Sequence, residues 1–219
     1  RIIDRLIENG INGILLMGTI GEFFTLTMQE KKEYIRFAVK RVDKRAAVLV
    51  GTGGTAVDEV IELTRYAEKE GADAAVVISP YYFKLDDASL YRYYADVAGS
   101  VEMPVLLYNF PDRTAVDLSP QLILRLAQDF PNIVGIKDTV DNISHTRKVI
   151  RAVKPQRSDF CILSGFDEYF IPNLMAGGDG ILTGLTNIAP AYFVAMYKAF
   201  AEKDFQTIAE YQRKVNILM

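Results

Sequence analysis

Residues 104–138 read PVLLYNFPDRTAVDLSPQLILRLAQDFPNIVGIKD, two short apolar runs (104–109 and 133–138) on either side of a helical pattern over 119–129. The helical pattern opens with Ser119 ahead of Pro120, a capping residue followed by a ring preset for the first turn. Strand, helix and strand in that order make one βα repeat unit. Both strands end in polar residues, Tyr108-Asn109 and Lys137-Asp138.

The unit recurs along the whole chain. Strand-like runs fall at 14–18, 47–52, 74–79, 104–109, 133–138, 160–165 and 180–185, with starts 20 to 33 residues apart. Helical patterns lie at 29–42, 55–71, 87–99, 119–129, 142–153, 167–176 and 190–202. Thr55 and Asp141 stand as further caps, and Gly10, Gly71, Gly99 and Gly177 as helix stops. Strict alternation with near-continuous apolar strands means a parallel sheet covered by helices. Periodicity is compatible with an open doubly wound sheet or a closed barrel, and the even pace points to a (β/α)8 TIM barrel. Seven strands are present, which would leave two raw edges. The chain opens inside an amphipathic pattern (Ile2, Ile3, Leu6, Ile7), so the remaining strand is expected ahead of residue 1. Residues 1–203 would then form the barrel from its second strand onward, and 204–219 a further helix beginning a C-terminal helical region.

Composition narrows the chemistry. The chain has 219 residues, 50% of them apolar, and a net charge of −3, enough for one large core. Scattered charge gives no basic footprint for nucleic acid or an anionic membrane, and no apolar run spans a bilayer. Cys161 is alone, which excludes intramolecular disulfides and reads as cytoplasmic. His145 is the only histidine, so neither a zinc site nor a Ser-His or Cys-His nucleophile is well supplied. Its setting, Asp141-Asn142-Ile143-Ser144-His145, predicts an exposed position in the first turns of a helix.

In parallel α/β proteins, sites lie at the carboxyl ends of the strands. Those ends carry Thr19, Glu22, Tyr81, Tyr82, Tyr108, Asn109, Lys137, Asp138, Thr139, Ser164, Asp167 and Thr183. The set holds one amine, several phenols and hydroxyls, and few carboxylates for a metal. A desolvated lysine can act as a neutral amine and attack a ketone to form a Schiff base. Lys137 is the candidate, with Tyr108 one repeat earlier to move protons and Gly135 on the same strand face to leave room. The alternative is a lysine at the strand mouth paired with Asp138. Gly51-Thr52-Gly53-Gly54-Thr55 has the outline of a dinucleotide loop but lacks the third glycine and the following acid. A tight turn capped by Thr55 explains it better, and a turn likewise explains Gly177-Gly178-Asp179-Gly180.

Taken together, Gly18-Thr19-Ile20-Gly21-Glu22, Pro80-Tyr81-Tyr82, Tyr108-Asn109-Phe110-Pro111 and Gly135-Ile136-Lys137-Asp138 resemble the dihydrodipicolinate synthase / N-acetylneuraminate lyase family of class I pyruvate-dependent aldolases and lyases. The resemblance runs through essentially the whole chain. It implies Lys137 as the Schiff-base lysine and Tyr108 as proton donor and acceptor. Thr19 would link Tyr108 to Tyr82, which in the family reaches a neighbouring subunit's site; interface packing is the other reading of Tyr82. Backbone amides of Thr19 and Ile20 would hold the pyruvate carboxylate, Leu182 would line its pocket, and Glu22 would brace its loop. No metal or organic cofactor is implied; the partners are pyruvate, an aldehyde, and further copies of the chain in a homodimer or homotetramer.

Two positions bear on the aldehyde. Ile20 replaces the second threonine usual in the synthases, and Gly21-Glu22-Phe23 resembles the branch that cleaves 2-keto-3-deoxy sugar acids. Arg113 falls where the synthases hold the carboxylate of aspartate semialdehyde, unless it is a loop arginine paired with Asp112 or Asp117. On Arg113 the expectation is a 4-hydroxy-tetrahydrodipicolinate synthase reaction, with a 2-keto-3-deoxygluconate-type aldolase or a non-catalytic keto-acid-binding barrel as alternatives.

Overall fold

A computed structural model describes residues 1–219. The strands are β1 Gly13–Leu16, β2 Ala47–Gly51, β3 Ala74–Ile78, β4 Val105–Asn109, β5 Ile133–Asp138, β6 Cys161–Ser164 and β7 Gly180–Ile181. The helices are α1 Ile2–Glu8, α2 Met28–Val42, α3 Val57–Glu70, α4 Asp87–Ala98, α5 Pro111–Thr114, α6 Pro120–Asp129, α7 Ile143–Val153, α8 Phe170–Ala176, α9 Pro190–Glu202 and α10 Phe205–Leu218. All seven strands are parallel and pair in sequence order, as successive βα units require. The sheet curls as part of a TIM-type barrel. Its two ends approach at the carboxyl rim, where a Cβ on Gly184 would lie 2.5 Å from Ile20 Cδ1, and Arg5 donates to the Asn187 carbonyl. β1 and β7 do not pair with each other.

Strand alternation sorts the side chains onto two faces. Leu107 and Ile136 face outward and pack with Leu122, Ile123 and Leu126 of α6 and Val149 and Val153 of α7 in the larger core cluster. Leu126 is fully buried, and truncating such a leucine to alanine costs about 2–5 kcal/mol. Leu106 and Tyr108 face the lumen, with Val76 and Ile78 from β3. α10 lies against α9, its Val215 buried among Phe193 and Met196 and its Tyr211 ring tilted against Tyr192 at 5.5 Å. No helix is long and apolar enough to cross a membrane.

Several boundaries differ from the expected ones. The run 180–185 yields a strand of only two residues, because Leu185–Asn187 turn into a 3-10 helix. The expected helix 167–176 is a 3-10 turn, Asp167–Tyr169, followed by α8. Thr55 does not cap α3, which starts after Ala56 with no side-chain cap. Asn142, not Asp141, caps α7, its Oδ1 accepting from the Ser144 amide at 3.0 Å. Gly71 and Gly177 end their helices in the left-handed conformation as expected, whereas Gly99 stays right-handed at φ −70°.

The glycines after β2 are packing glycines. A Cβ on Gly53 would sit 2.5 Å from the Ile78 amide nitrogen, and one on Gly51 would run into the Met17 carbonyl. The Thr52 amide donates to Val76 and the Gly54 amide to the Tyr93 hydroxyl, so this turn is not a free cradle for phosphate. Gly135 is also filled: a Cβ there would lie 2.6 Å from the Cys161 carbonyl of β6. It lets two strands approach, rather than leaving lumen space for a ketone as the sequence suggested.

Candidate active site

Ile78, Tyr108, Lys137, Leu163 and Gly180 are successive register partners across β3 to β7, a single row just below the carboxyl rim. Tyr108 and Lys137 are therefore neighbours by strand pairing and face the lumen together. Lys137 is buried, at 7% exposure, and its Nζ lies 4.4 Å from the centre of the Tyr108 ring. It makes no salt bridge within 4 Å, and Asp138, its sequence neighbour, points to the opposite face. The alternative of a Lys137–Asp138 pair is thereby removed.

Thr19, on the loop after β1, places Oγ1 3.1 Å from the Tyr108 hydroxyl. The backbone amides of Thr19 and Ile20 have no acceptor in the chain, although Gly21 and Glu22 close the turn by donating to the Gly18 and Thr19 carbonyls. Two adjacent amides are thus left with unused donors on a loop that touches Tyr108. Glu22 takes a left-handed conformation (φ 52°), and its carbonyl accepts from the Thr25 hydroxyl, so it shapes this loop. Leu182 is half-buried, its amide bonded to the Ser164 carbonyl.

Phe110 stacks on Tyr108 at 6.0 Å, and the Arg113 guanidinium sits 5.5 Å from the centre of the Phe110 ring. Arg113 is exposed, and its one hydrogen bond goes to the Asp112 carbonyl rather than to the carboxylates of Asp112 or Asp117. Ile20 is 78% exposed on the rim beside Gly184. Tyr82 is not brought to Thr19 within this protomer. It is 86% exposed, holds φ at 89°, makes no hydrogen bond, and packs edge-on against the exposed Phe83 at 4.9 Å.

Other polar groups gather at the same rim. Thr139, two residues beyond Lys137 on the same strand face, buries a hydroxyl with no partner, and Glu168 buries an unpartnered carboxylate oxygen. Asp167 accepts from the Leu185 amide at 3.2 Å. Burial pushes its carboxyl above the usual range, against the opposing pull of the Thr183 hydroxyl, the Leu185 amide and the Lys137 charge. Burial pushes the Cys161 thiol up to about 11, away from the reactive thiolate form.

His145 overturns its expected exposure. It is 8% exposed, with Nδ1 3.0 Å from Asp138 Oδ2 and Nε2 3.0 Å from the Leu118 carbonyl. Burial lowers its proton affinity, but Asp138 and Asp117 outweigh that and leave its pKa above the ordinary 6.5. Its i, i+4 and i, i+8 spacing to Val149 and Val153 was the available signal, since those residues form the buried face of α7. Thr139 was likewise readable from its parity with Lys137.

The chain belongs to the dihydrodipicolinate synthetase family, which it matches over residues 1–219. That family consists of pyruvate-dependent aldolases and lyases. The chain is 44% identical over 212 residues to an Escherichia coli K12 protein named "Putative 2-dehydro-3-deoxy-D-gluconate aldolase YagE", covering 97% of this chain and 70% of the relative. The structure of YagE in complex with pyruvate superposes with a TM-score of 0.95, covering 97% of this chain and 71% of that one. A second relative from the same organism, "Probable 2-dehydro-3-deoxy-D-pentonate aldolase YjhH", is 41% identical and covers 98% of this chain and 71% of its own. A 4-hydroxy-tetrahydrodipicolinate synthase from Nitratidesulfovibrio vulgaris is 39% identical, covering 94% and 70%.

Proposed function

We propose that this chain carries the site of a class I aldolase that cleaves a 2-keto-3-deoxy sugar acid into pyruvate and a hydroxyaldehyde. The observation that carries the reading is Lys137: a buried amine without a salt bridge, beside a phenol that is itself bonded to Thr19. In this reading Nζ attacks the C2 ketone and water leaves, forming a protonated imine. The Tyr108 hydroxyl gives its proton to the oxygen that leaves as water, and the phenolate so formed takes the proton from the C4 hydroxyl, becoming the phenol that later protonates C3. The C3–C4 bond breaks, its electron pair moves into the imine to give an enamine, and the aldehyde departs. Protonation of C3 and hydrolysis of the imine then release pyruvate and restore the amine. The free amides of Thr19 and Ile20 hold the substrate carboxylate.

Sugar-acid chemistry replaces the synthase reaction expected from Arg113, on two grounds. Two relatives above 40% identity carry sugar-acid aldolase names. Unpartnered buried oxygens at Thr139 and Glu168 suit a substrate rich in hydroxyls, because a buried polar group left unpaired costs about 1–3 kcal/mol until something bonds it. The synthase reading keeps one specific support, the exposed Arg113 guanidinium, which is paired with no carboxylate. The exposed Tyr82–Phe83 pair supports assembly of the chain as a homodimer or homotetramer, with Tyr82 reaching a neighbouring site.

The test is reduction with borohydride in the presence of pyruvate, followed by intact mass. A pyruvate adduct is expected, and it should disappear in Lys137→Ala. An unshifted mass, or a shift retained by Lys137→Ala, overturns the reading. Parallel assays with 2-keto-3-deoxygluconate and with pyruvate plus aspartate semialdehyde separate the two reactions.

A further inference from the structure

One buried polar cluster is left unused by this chemistry, on the outward face of β4 and β5. Asn109 and Asp138 immediately follow Tyr108 and Lys137, are register partners, and bond to each other through Asn109 Nδ2 and Asp138 Oδ1 at 3.0 Å. Asp138 Oδ2 accepts from the Thr146 hydroxyl at 2.7 Å and meets His145 Nδ1 at 3.0 Å. Asn109 Oδ1 accepts from the Leu118 amide at 3.0 Å, which fixes the orientation of the Asn109 side chain. The Leu118 carbonyl in turn faces His145 Nε2.

The donors and acceptors of this ring can be assigned by elimination. A carbonyl cannot donate, so His145 Nε2 carries a hydrogen toward Leu118. Asp138 accepts from Asn109 on Oδ1 and from Thr146 on Oδ2, the oxygen that also faces the ring, so the ring is the donor and Nδ1 carries a hydrogen as well. An imidazole with hydrogens on both nitrogens is a cation. The charged groups facing it are Asp138 from β5 and Asp117 from the segment between α5 and α6, the latter 3.2 Å from Nε2. Its own helix contributes Thr146, and no cation opposes it.

Resting on the roles of Lys137 and Tyr108 proposed above, we infer that His145 is a buried imidazolium. We further infer that it is a positioning residue, holding Asp138 and Asn109 so that Lys137 and Tyr108 keep their mutual placement on the other face of the same two strands. The catalytic strands are pinned from behind, where no substrate competes for the bonds.

His145 is the only histidine, so labelling histidine with 15N reports on it alone. Both ring nitrogens are expected to show imidazolium shifts at neutral pH, and a pyridine-type shift on either overturns the charge assignment. His145→Gln is expected to lower kcat for cleavage on the order of tenfold, with KM for the keto acid changed by less than about twofold. A merely structural role, measured well below the melting temperature, would leave kcat in place. Where His145→Gln does not fold, Thr146→Val removes one bond to Asp138 and is expected to lower kcat about threefold. Unchanged kcat in whichever of these variants folds overturns the positioning role. A wild-type protein that traps no pyruvate overturns the catalytic reading and the positioning role with it, while the ring-nitrogen shifts decide the imidazolium separately.

Discussion

Lys137 and Asp138 are adjacent in sequence and opposite in circumstance. On the lumen side, Lys137 has no salt bridge, Tyr108 has one hydroxyl neighbour, and Thr139 has a buried oxygen with nothing to bond. One residue further along each strand, Asn109 and Asp138 place every side-chain oxygen in a hydrogen bond and tie in α7 and the segment ahead of α6. The same two strands thus present a face with bonding capacity in reserve and a face with almost none. Reserve is what a substrate needs, and saturation is what keeps the reserve in place.

The comparison breaks if substitutions on the two faces behave alike. Lys137→Ala should abolish activity while leaving stability near or above that of the wild type, because it removes a buried amine that has no ion-pair partner. Asp138→Asn should do the reverse in the first instance, lowering stability by about 3–5 kcal/mol in urea unfolding, since it removes the buried carboxylate on Nδ1 of a buried cation and leaves only the more exposed Asp117. Tyr108→Phe keeps the ring and its packing on Phe110 and should lower kcat about a hundredfold through loss of proton transfer. Equal stability losses in Lys137→Ala and Asp138→Asn would end the distinction.

A finer substitution sharpens the lumen side. Thr139→Val keeps shape and removes the unpartnered hydroxyl, so its stability should be unchanged or slightly raised. Its kcat/KM for a 2-keto-3-deoxy sugar acid should fall about tenfold or more, with pyruvate trapping unaffected. A fall in pyruvate trapping would place Thr139 at the imine rather than at the hydroxyl-bearing end of the substrate.

How far each face was legible follows from the range of its contacts. The pairing of Tyr108 with Lys137 could be read from their common offset in the runs 104–109 and 133–138, and a one-residue register shift between Val105 and Leu106 is what brings the two level. Strand 133–138 matched residue for residue, since it is paired on both sides. The expected strand 180–185 shrank because it pairs on one side only and its chain turns away after Ile181. The contact of Thr19 with Tyr108 spans 89 residues and came only through family resemblance. His145 was misjudged from its polar sequence neighbours. Its partner Leu118 lies 27 residues away, and nothing local announces a carbonyl waiting for a ring nitrogen. A glycine misled in the other direction: Gly135 suggested open space and is a place where the Cys161 backbone of β6 fills it.

The smallest expected effect is the pH dependence of stability, and it isolates the saturated face. His145 titrates above its ordinary 6.5 when folded, burial being outweighed by Asp138 and then Asp117. In the unfolded chain it returns to about 6.5. Below that value both states hold the proton, and the full stabilisation is present. As pH rises past it, the unfolded state releases its proton first, so the native state binds more protons and stability falls until the folded group titrates as well. One such group contributes a slope of no more than about 1.4 kcal/mol per pH unit. Urea unfolding of the wild type from about pH 6 to 9 should show this decline, and His145→Gln should show a flatter profile over the same range. Parallel profiles would mean that His145 is not protonated in the fold, and the two faces of β5 would then differ in hydrogen bonding without differing in charge.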